Sequence, residues 1–237
     1  MKAIICVAGE GKRLRPLTED RPKCLIKVGK KTILEYILDN ISDCGIRDVV
    51  LIVGYKSEKI KSIIGTKYCN CRIKYYVNDI YYKTDNMYSL WMAKNEIEQG
   101  IIFFNGDVIT HPDILRKLLD SPCHNAVSID KNISLLEDSM KVKIINGKIK
   151  SISKDIRDGD GWAIGIYKLS PEGSKDYYEV VKKLIRIGSS NASFVKPIEL
   201  ISKFTDVYAI DTDCLPWIEI DDFKDLKKAK SRIIEFN

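Results

Sequence analysis

Strand-like and helix-like segments alternate through the first half of the chain, and this alternation constrains the fold more than any other feature of the sequence. Short apolar runs of strand length are separated by longer segments in which apolar residues recur with helical spacing. Such alternation is typical of strands joined by crossover helices, so it predicts a mixed, mostly parallel sheet with helices on both faces. The strand-like segments are 2–8, 48–53, 72–77 and 101–105, and the helix-like segments are 33–43, 56–64 and 86–97.

The second half of the chain is less regular and predicts a small β insertion. Residues 140–153 resemble a hairpin that turns at Asn146-Gly147, and residues 162–169 form another strand-like run. Asp222 is placed to cap a last helix. No repeat, low-complexity tract or proline-rich linker divides the 237 residues, and this length suits one domain. We therefore predict a single α/β domain.

The first strand-like run leads directly into a glycine-punctuated loop with two adjacent cations. Residues 3–13 read AIICVAGEGKR. Glycine lets backbone amides approach an anion closely, while Lys12 and Arg13 supply charge that backbone dipoles alone cannot. Lys23, in the RPK segment that follows, adds a further cation. The loop is therefore predicted to hold phosphate.

Basic residues are concentrated around this loop. The first 31 residues carry nine Lys or Arg side chains against three Asp or Glu, and this excess equals the net charge of +6 of the whole chain. The rest of the chain carries 30 side chains of each sign. This distribution excludes a diffuse nucleic-acid surface and favours one concentrated anion site near the N-terminus.

Composition indicates the compartment. The chain is 45% hydrophobic and 30% charged, and no apolar stretch approaches the roughly 18 residues needed to cross a bilayer. No secretory signal is visible, and the seven cysteines are an odd number without framework spacing. We therefore expect a soluble, cytoplasmic protein that does not insert into membranes and keeps its cysteines reduced.

Carboxylates follow two distant strand-like segments. IIFFNGDV places Asp107 just past a buried strand, where open α/β sheets keep their ligand crevice. In PWIEIDD, strand alternation puts Trp217, Glu219 and Asp221 on one face. Each acid alone also fits a turn or a helix cap. Together they can share a hard cation, most naturally Mg²⁺, which with the phosphate loop predicts a nucleoside triphosphate site.

One long motif resembles a known family. Residues 8–23, AGEGKRLRPLTEDRPK, resemble the signature A-G-x-G-x-R-L-x-P-L-T-x-x-x-P-K of the sugar-phosphate nucleotidyltransferase superfamily. NDIYYKTDNMYSL at 78–90 and PWIEIDD at 216–222 resemble the short cytidylyltransferases that act on small phosphorylated alcohols, such as the phosphocholine and inositol-1-phosphate enzymes. The similarity spans essentially the whole chain and is weakest in residues 110–205.

This resemblance implies a Rossmann-like nucleotidyltransferase domain over residues 1–237, with a nucleotide-binding half at 1–110 and an acceptor-binding half at 111–237. It also implies that Asn86 and Ser89 face the pyrimidine. The implied catalytic residues are Arg13 and Lys23, the nucleotide-binding residues are Ala8, Gly9, Gly11, Lys12, Asn86 and Ser89, the Mg²⁺ ligands are Asp107, Asp221 and Glu219, and the residues near the acceptor phosphate are Lys141 and Lys154.

The implied reaction joins CMP from CTP to a small phosphorylated acceptor and releases pyrophosphate. A phosphomonoester, with a second pKa of about 6, is already largely ionised at neutral pH, so the reaction needs positioning and charge stabilisation more than a strong base. Aromatic residues, Trp162 and Trp217 among them, offer faces for a quaternary ammonium, which favours a phosphocholine-like acceptor. Tryptophan is equally an ordinary core residue.

Three alternatives differ in function. A sugar-1-phosphate nucleotidyltransferase that uses UTP or dTTP has the same fold and mechanism. A catalytically silent regulatory homologue is disfavoured, because Arg13, Lys23, Asp107 and Asp221 are all present. A dinucleotide-dependent dehydrogenase is also disfavoured, since AGEGKRL lacks the third glycine of that fingerprint.

Overall fold

The computed structural model describes residues 1–236. No helix in this range is both long enough and apolar enough to cross a bilayer. In chain order the elements are β1 (Lys2–Val7), β2 (Lys27–Val28), β3 (Lys31–Thr32), α1 (Ile33–Asp43), β4 (Asp48–Val53), α2 (Ser57–Ile64), β5 (Lys67–Tyr68), β6 (Cys71–Val77), α3 (Asn86–Met92), β7 (Ile101–Asn105), β8 (Val108–Thr110), α4 (Pro112–Asp120), β9 (Ala126–Asp130), β10 (Lys141–Ile145), β11 (Lys148–Ser153), β12 (Gly161–Leu169), α5 (Pro171–Arg186), α6 (Val195–Ile201), β13 (Tyr208–Asp211), β14 (Trp217–Glu219) and α7 (Phe223–Ser231).

Ten strands form one mixed sheet in the order β10-β11-β13-β9-β12-β7-β1-β4-β6-β5. At its centre, β1 pairs in parallel with both β4 and β7, and β4 pairs in parallel with β6. This confirms the predicted βα alternation of the first half. In the second half, β12 runs antiparallel to both β7 and β9, so the sheet changes direction there.

The expectation of a mostly parallel sheet is wrong for the molecule as a whole. Within residues 1–236, four of the ten pairings of the large sheet are parallel. Two of the six antiparallel pairings, β5 with β6 and β10 with β11, follow from tight turns, which can join only antiparallel neighbours, whereas a parallel pair needs a crossover. The other four bring together strands that are not joined by a tight turn. The expected hairpin supplies such a turn, because Ile145 pairs with Lys148 across Asn146 and Gly147. Both turn residues have positive φ, 52° and 76°, as the type I′ turn of a two-residue hairpin requires.

The core lies in two layers, one on each face of the large sheet. Ala3, Ile5 and Val7 of β1 pack in the layer formed with α1, α2, α4 and α7. Ile4, which points to the other face, packs in the layer formed with α3, α5 and α6. Successive side chains of a strand point to opposite faces of the sheet, so each strand contributes to both layers. Helices cover both faces, as predicted.

A second, two-stranded sheet places a part of the C-terminal region against the middle of the chain. In it β14 runs antiparallel to β8, with Glu219 opposite Val108 and Trp217 opposite Thr110. The backbone N–H of Ile220 also donates to the carbonyl of Asp107 at 2.9 Å. This small sheet joins chain segments more than a hundred residues apart beside the carboxyl end of β7.

Candidate active site

A cavity of about 520 Å³ opens at the carboxyl ends of β1 and β7. The loop that follows β1 forms one wall of it, and the turn that follows β7 contributes Gly106 and Asp107. Lys23 and Asp221 line it as well, and the segment 81–89 supplies a further part of the lining. The edge at which the sequence predicted a ligand crevice therefore carries a cavity of the size that small-molecule ligands occupy.

Glycine is required in the loop after β1 because the backbone there is left-handed and closely packed. Gly11 has a φ of +65°, and a Cβ at this position would lie 2.7 Å from the Cβ of Lys23. The carbonyl of Gly11 accepts hydrogen bonds from Leu14 N and Thr18 Oγ1, both at 3.0 Å. These bonds fix the short turn at Lys12–Leu14 and so fix where its cationic side chains begin.

The two cations of this loop remain accessible to a ligand. The side chain of Arg13 is 64% exposed and pairs with Asp221 at 2.9 Å. The side chain of Lys12 is 68% exposed and lies 3.5 Å from Glu10, which also pairs with Arg15 at 3.1 Å. Arg13 and Lys12 can therefore meet an anion in the cavity without first leaving a buried position.

Lys23 is the least exposed of the three cations that line the cavity. Its side chain is 15% exposed, and Nζ donates to Asp107 Oδ2 at 2.9 Å and to Asp221 Oδ1 at 2.7 Å. Burial disfavours the charged ammonium, but the two carboxylates outweigh this effect and raise the pKa of Lys23 to about 12. The protein therefore holds a fixed positive charge between two acids at the floor of the cavity.

Local structure explains why the acids meet there. Gly106 lies so close to β1 that a Cβ would approach the carbonyl oxygen of Cys6 to 2.5 Å, so glycine lets the turn carry Asp107 against the end of β1. The carboxylate of Asp225, in the first turn of α7, accepts from the backbone N–H groups of Asp221 and Asp222 at 2.9 and 3.0 Å. The predicted cap at Asp222 is confirmed, and it fixes the backbone that carries Asp221.

The acidic cluster fits a hard divalent cation. Ligand oxygens of Asp107, Glu219 and Asp221 all lie within 4.8 Å of one another. Asp107 Oδ1 is buried and has no hydrogen-bond partner within residues 1–236, so an oxygen is left for a ligand. Burial, together with the charges of Asp107 and Asp221, raises the pKa of Glu219 to about 8. A cation such as Mg²⁺ would relieve both the repulsion and the unsatisfied oxygen, and it would supply charge neutralisation for phosphate oxygens.

The two side chains expected to face a pyrimidine line the cavity with defined hydrogen-bonding polarity. Asn86 Oδ1 accepts the backbone N–H of Phe194 at 3.0 Å, so the amide group is oriented and its Nδ2 hydrogens are left as donors. Ser89 Oγ accepts from Asn78 Nδ2 at 3.0 Å, which leaves the hydroxyl hydrogen as a donor. Ala8 and Gly9, also expected at the nucleotide, line the same cavity.

The residues expected at the acceptor lie outside the lining of this cavity. Lys141 is buried, and its Nζ donates to the carbonyls of Glu137 at 3.0 Å and Lys154 at 2.8 Å. Lys141 thus holds the backbone from which the Lys154 side chain extends. The charge of Lys154 acts on Glu219 and lowers the pKa of that carboxyl against the larger effect of burial.

The two tryptophans expected at the acceptor are engaged with each other. Trp217 is 8% exposed and its Nε1 donates to Asp130 Oδ2 at 2.7 Å. Its ring meets that of Trp162 edge-to-face, with centroids 5.3 Å apart. An acceptor role for either tryptophan remains a prediction.

Two acidic residues in the lining were not predicted from the sequence. Glu10 binds the cations Lys12 and Arg15, and Asp85 caps α3. An acid immediately before a helix-like segment is a visible capping signal, so the position of Asp85 in the chain could have been found. That its carboxylate also lines a cavity depends on the packing of α3 against β1, which no local pattern encodes.

Comparison with known proteins gives consistent matches. A family model described as Nucleotidyl transferase matches residues 2–131. The chain is 28% identical to a CTP:phosphoglutamine cytidylyltransferase of Campylobacter jejuni, over 96% of this chain and 98% of that protein. It is 39% identical to a choline-phosphate cytidylyltransferase of Streptococcus pneumoniae, over 43% of each chain.

The fold has a solved counterpart. The structure of CTP:phosphocholine cytidylyltransferase from Streptococcus pneumoniae matches with a TM-score of 0.79 over 98% of each chain, at 24% identity. Such identity shows a shared mixed α/β fold. Several other relatives are longer proteins, of which this chain spans about half.

Proposed function

The chain belongs to the nucleotidyl transferase family, and from that premise we propose that it is a Mg²⁺-dependent cytidylyltransferase. It would join CMP from CTP to a small phosphorylated alcohol of the phosphocholine type and release pyrophosphate. One observation carries the proposal. Lys23 bridges Asp107 and Asp221 in the cavity lined by the glycine loop, so the cations proposed to bind phosphate and the acids proposed to bind the metal share one site.

The side chains of this site can lower the barrier by offsetting charge. The acceptor phosphate, the α-phosphate and the departing pyrophosphate are all anionic, so their approach is repulsive unless cations balance them. Arg13 and Lys12 extend into the cavity from the loop, where they can bind the triphosphate. Lys23, held by two acids, can contact phosphate oxygens at the reacting end, and Mg²⁺ on Asp107, Asp221 and Glu219 would add to this charge.

Two observations support CTP as the donor. Two of the relatives are named cytidylyltransferases, and the name of the phosphoglutamine enzyme, which matches over nearly the full length, specifies CTP. In addition, Asn86 and Ser89 both present hydrogen-bond donors in the cavity. Cytosine offers acceptors at N3 and O2, whereas uracil carries a donor at N3, so a pair of donors suits cytosine better.

The acceptor is proposed to bind beside Lys154. The charge of Lys154 lowers the pKa of the Glu219 carboxyl against the larger effect of burial, which supports an acceptor site on this side of the acidic cluster. Lys141 fixes the backbone of Lys154 and would act through it. In this scheme residues 1–110 bind the nucleotide, and the second half of the chain binds the acceptor.

Pyrophosphate release tests the proposal directly. The protein is incubated with Mg²⁺, with each of the four common nucleoside triphosphates or dTTP, and with a panel that contains phosphocholine, phosphoglutamine, inositol 1-phosphate and sugar 1-phosphates. We expect release with CTP and one of the phosphorylated alcohols. Release only with UTP or dTTP and a sugar 1-phosphate would replace the proposal by the sugar-nucleotide alternative. No release with any pair would indicate a catalytically silent homologue.

A further inference from the structure

One part of the cavity lining carries a single charged side chain. Among the residues of segment 81–89 that line the cavity, Asp85 is that residue, and the others are aromatic or polar and uncharged. The cations that suit a triphosphate are instead on the loop after β1 and at Lys23. If the proposed function holds, the uncharged base is therefore the portion of the nucleotide that fits against this segment.

One of the two carboxylate oxygens of Asp85 accepts a hydrogen bond from the protein, and the other does not. Oδ1 accepts the backbone N–H of Asn86 at 2.6 Å, which caps α3. Within residues 1–236, Oδ2 accepts no hydrogen bond and forms no ion pair, although the charge of Lys154 reaches Asp85 over a longer distance. Capping therefore explains one oxygen of this exposed side chain, which lines the cavity, and leaves the other oxygen unused by the protein.

The other acids in the cavity lining have partners. Glu10 pairs with Lys12, and both Asp107 and Asp221 pair with Lys23. Asp85 is exposed, so solvent hydrates its free oxygen, and a ligand that displaces this water matches the carboxylate best with a group that donates a hydrogen bond. Asp85 is therefore complementary to a hydrogen-bond donor on the ligand.

The polar groups that line the cavity at the start of α3 comprise one acceptor and two donors. Asp85 presents an acceptor, Asn86 presents the donors of its oriented amide, and Ser89 presents a hydroxyl donor. The edge of cytosine carries the complementary set: the donor 4-amino group, then the acceptors N3 and O2. Uracil would place its O4 acceptor against a carboxylate and its N3–H against an amide N–H, and both contacts are repulsive.

We propose that Asp85 selects CTP over UTP by accepting a hydrogen bond from the 4-amino group of cytosine. The inference rests on the proposed function. It assigns to Asp85 a specificity role at the base, while the chemistry at the phosphates is left to the cations and acids on the floor of the cavity.

The test uses substitutions that keep α3 capped. Asp85→Ser and Asp85→Asn both retain a residue that is favoured at a helix N-cap, so the helix should persist. Asp79→Asn is the matched control, because Asp79 is an exposed acid two positions before this segment and does not line the cavity. For each protein, kcat/KM is measured with CTP, with UTP, and with the triphosphate of the pyrimidin-2-one riboside, which lacks the 4-amino group.

We expect the wild type and Asp79→Asn to prefer CTP over both other nucleotides. In Asp85→Ser each preference should fall by at least about tenfold, because the hydrogen bond to a charged group is lost, and the change should appear mainly in KM. Asp85→Asn should in addition gain activity with UTP, since its amide can donate to O4. Unchanged nucleotide preferences in both variants, or a loss confined to the KM of the acceptor, would overturn the inference.

Binding measurements separate this inference from the proposed function. If the wild type releases no pyrophosphate with any substrate pair, the proposed function fails, and calorimetric binding of CTP and UTP in the presence of Mg²⁺ still tests Asp85. A preference for CTP that disappears in Asp85→Ser supports the inference. A preference that survives this substitution refutes it.

Discussion

Replacement of Lys23 by methionine tests the electrostatic logic of the site most directly. Methionine fills a similar volume but removes the ammonium that bonds Asp107 at 2.9 Å and Asp221 at 2.7 Å. The pKa of Lys23 rises from its ordinary 10.5 to about 12, and a pKa unit corresponds to about 1.4 kcal/mol. The folded state therefore favours the charged ammonium by about 2 kcal/mol.

The sign of this contribution fixes the pH at which it is measured. A cation with a raised pKa contributes its full stabilisation below the unfolded value of about 10.5, and the contribution is lost as the pH rises through about 12. At pH 7 it is complete. Lys23→Met should therefore lower the free energy of unfolding at pH 7 by about 2 kcal/mol in denaturant titrations without Mg²⁺.

Two further readouts accompany the unfolding experiment. Mg²⁺ should stabilise the variant more than the wild type, because the acids no longer share an ammonium, and turnover should fall by at least about a hundredfold. Lys27→Met is the control, since Lys27 is an exposed lysine four positions away. If Lys23→Met matches the control in both unfolding free energy and turnover, the assignment of Lys23 to the site is refuted.

Three more predictions follow from the same structure. Arg13→Ala should lower turnover at saturating substrates by at least about a hundredfold, or about 2.7 kcal/mol of transition-state stabilisation, and wild-type turnover would contradict this. Asp107→Asn should weaken Mn²⁺ binding, measured by electron paramagnetic resonance, by at least about tenfold, whereas Asp113→Asn should leave it unchanged. Lys2, Lys74 and the Tyr76 hydroxyl outweigh burial and lower the pKa of Glu96 to about 2. The charged Glu96 carboxylate therefore stabilises the fold by up to about 3 kcal/mol above pH 4.5, and this stabilisation is lost as the pH falls toward 2. Glu96→Gln should remove this loss of stability in acid. An unchanged dependence of the unfolding free energy on pH in Glu96→Gln would contradict the assigned role of Glu96.

The spacing of apolar residues predicted the strands and helices of the first half of the chain. The first four long strands and the helices between them follow from apolar runs of two different periods, because each period determines which side chains share a face. The Asn146-Gly147 turn was visible because few residues adopt positive φ at low cost. The direction of β12 was not visible, since a strand reads the same whether its neighbours are parallel or antiparallel.

The residues of the site also differ in how far the sequence predicts their positions. The loop that carries Lys12 and Arg13 was evident because its glycines and cations are adjacent in the chain. The sequence predicted that Asp107 and Asp221 share a cation. Their proximity, however, depends on the pairing of β14 with β8. The polarity of Asn86 was hidden altogether, because a backbone N–H from residue 194, far along the chain, orients its amide.

The sequence by itself determined an α/β chain with a phosphate loop at the end of its first strand, because those features are encoded by neighbouring residues and by their conformational preferences. The tertiary structure decided that Lys23 lies between Asp107 and Asp221, and that Asp85 keeps one oxygen for the cavity. These arrangements join residues up to 198 positions apart. Such distances are closed by strand pairing and core packing, whose geometry no local pattern records.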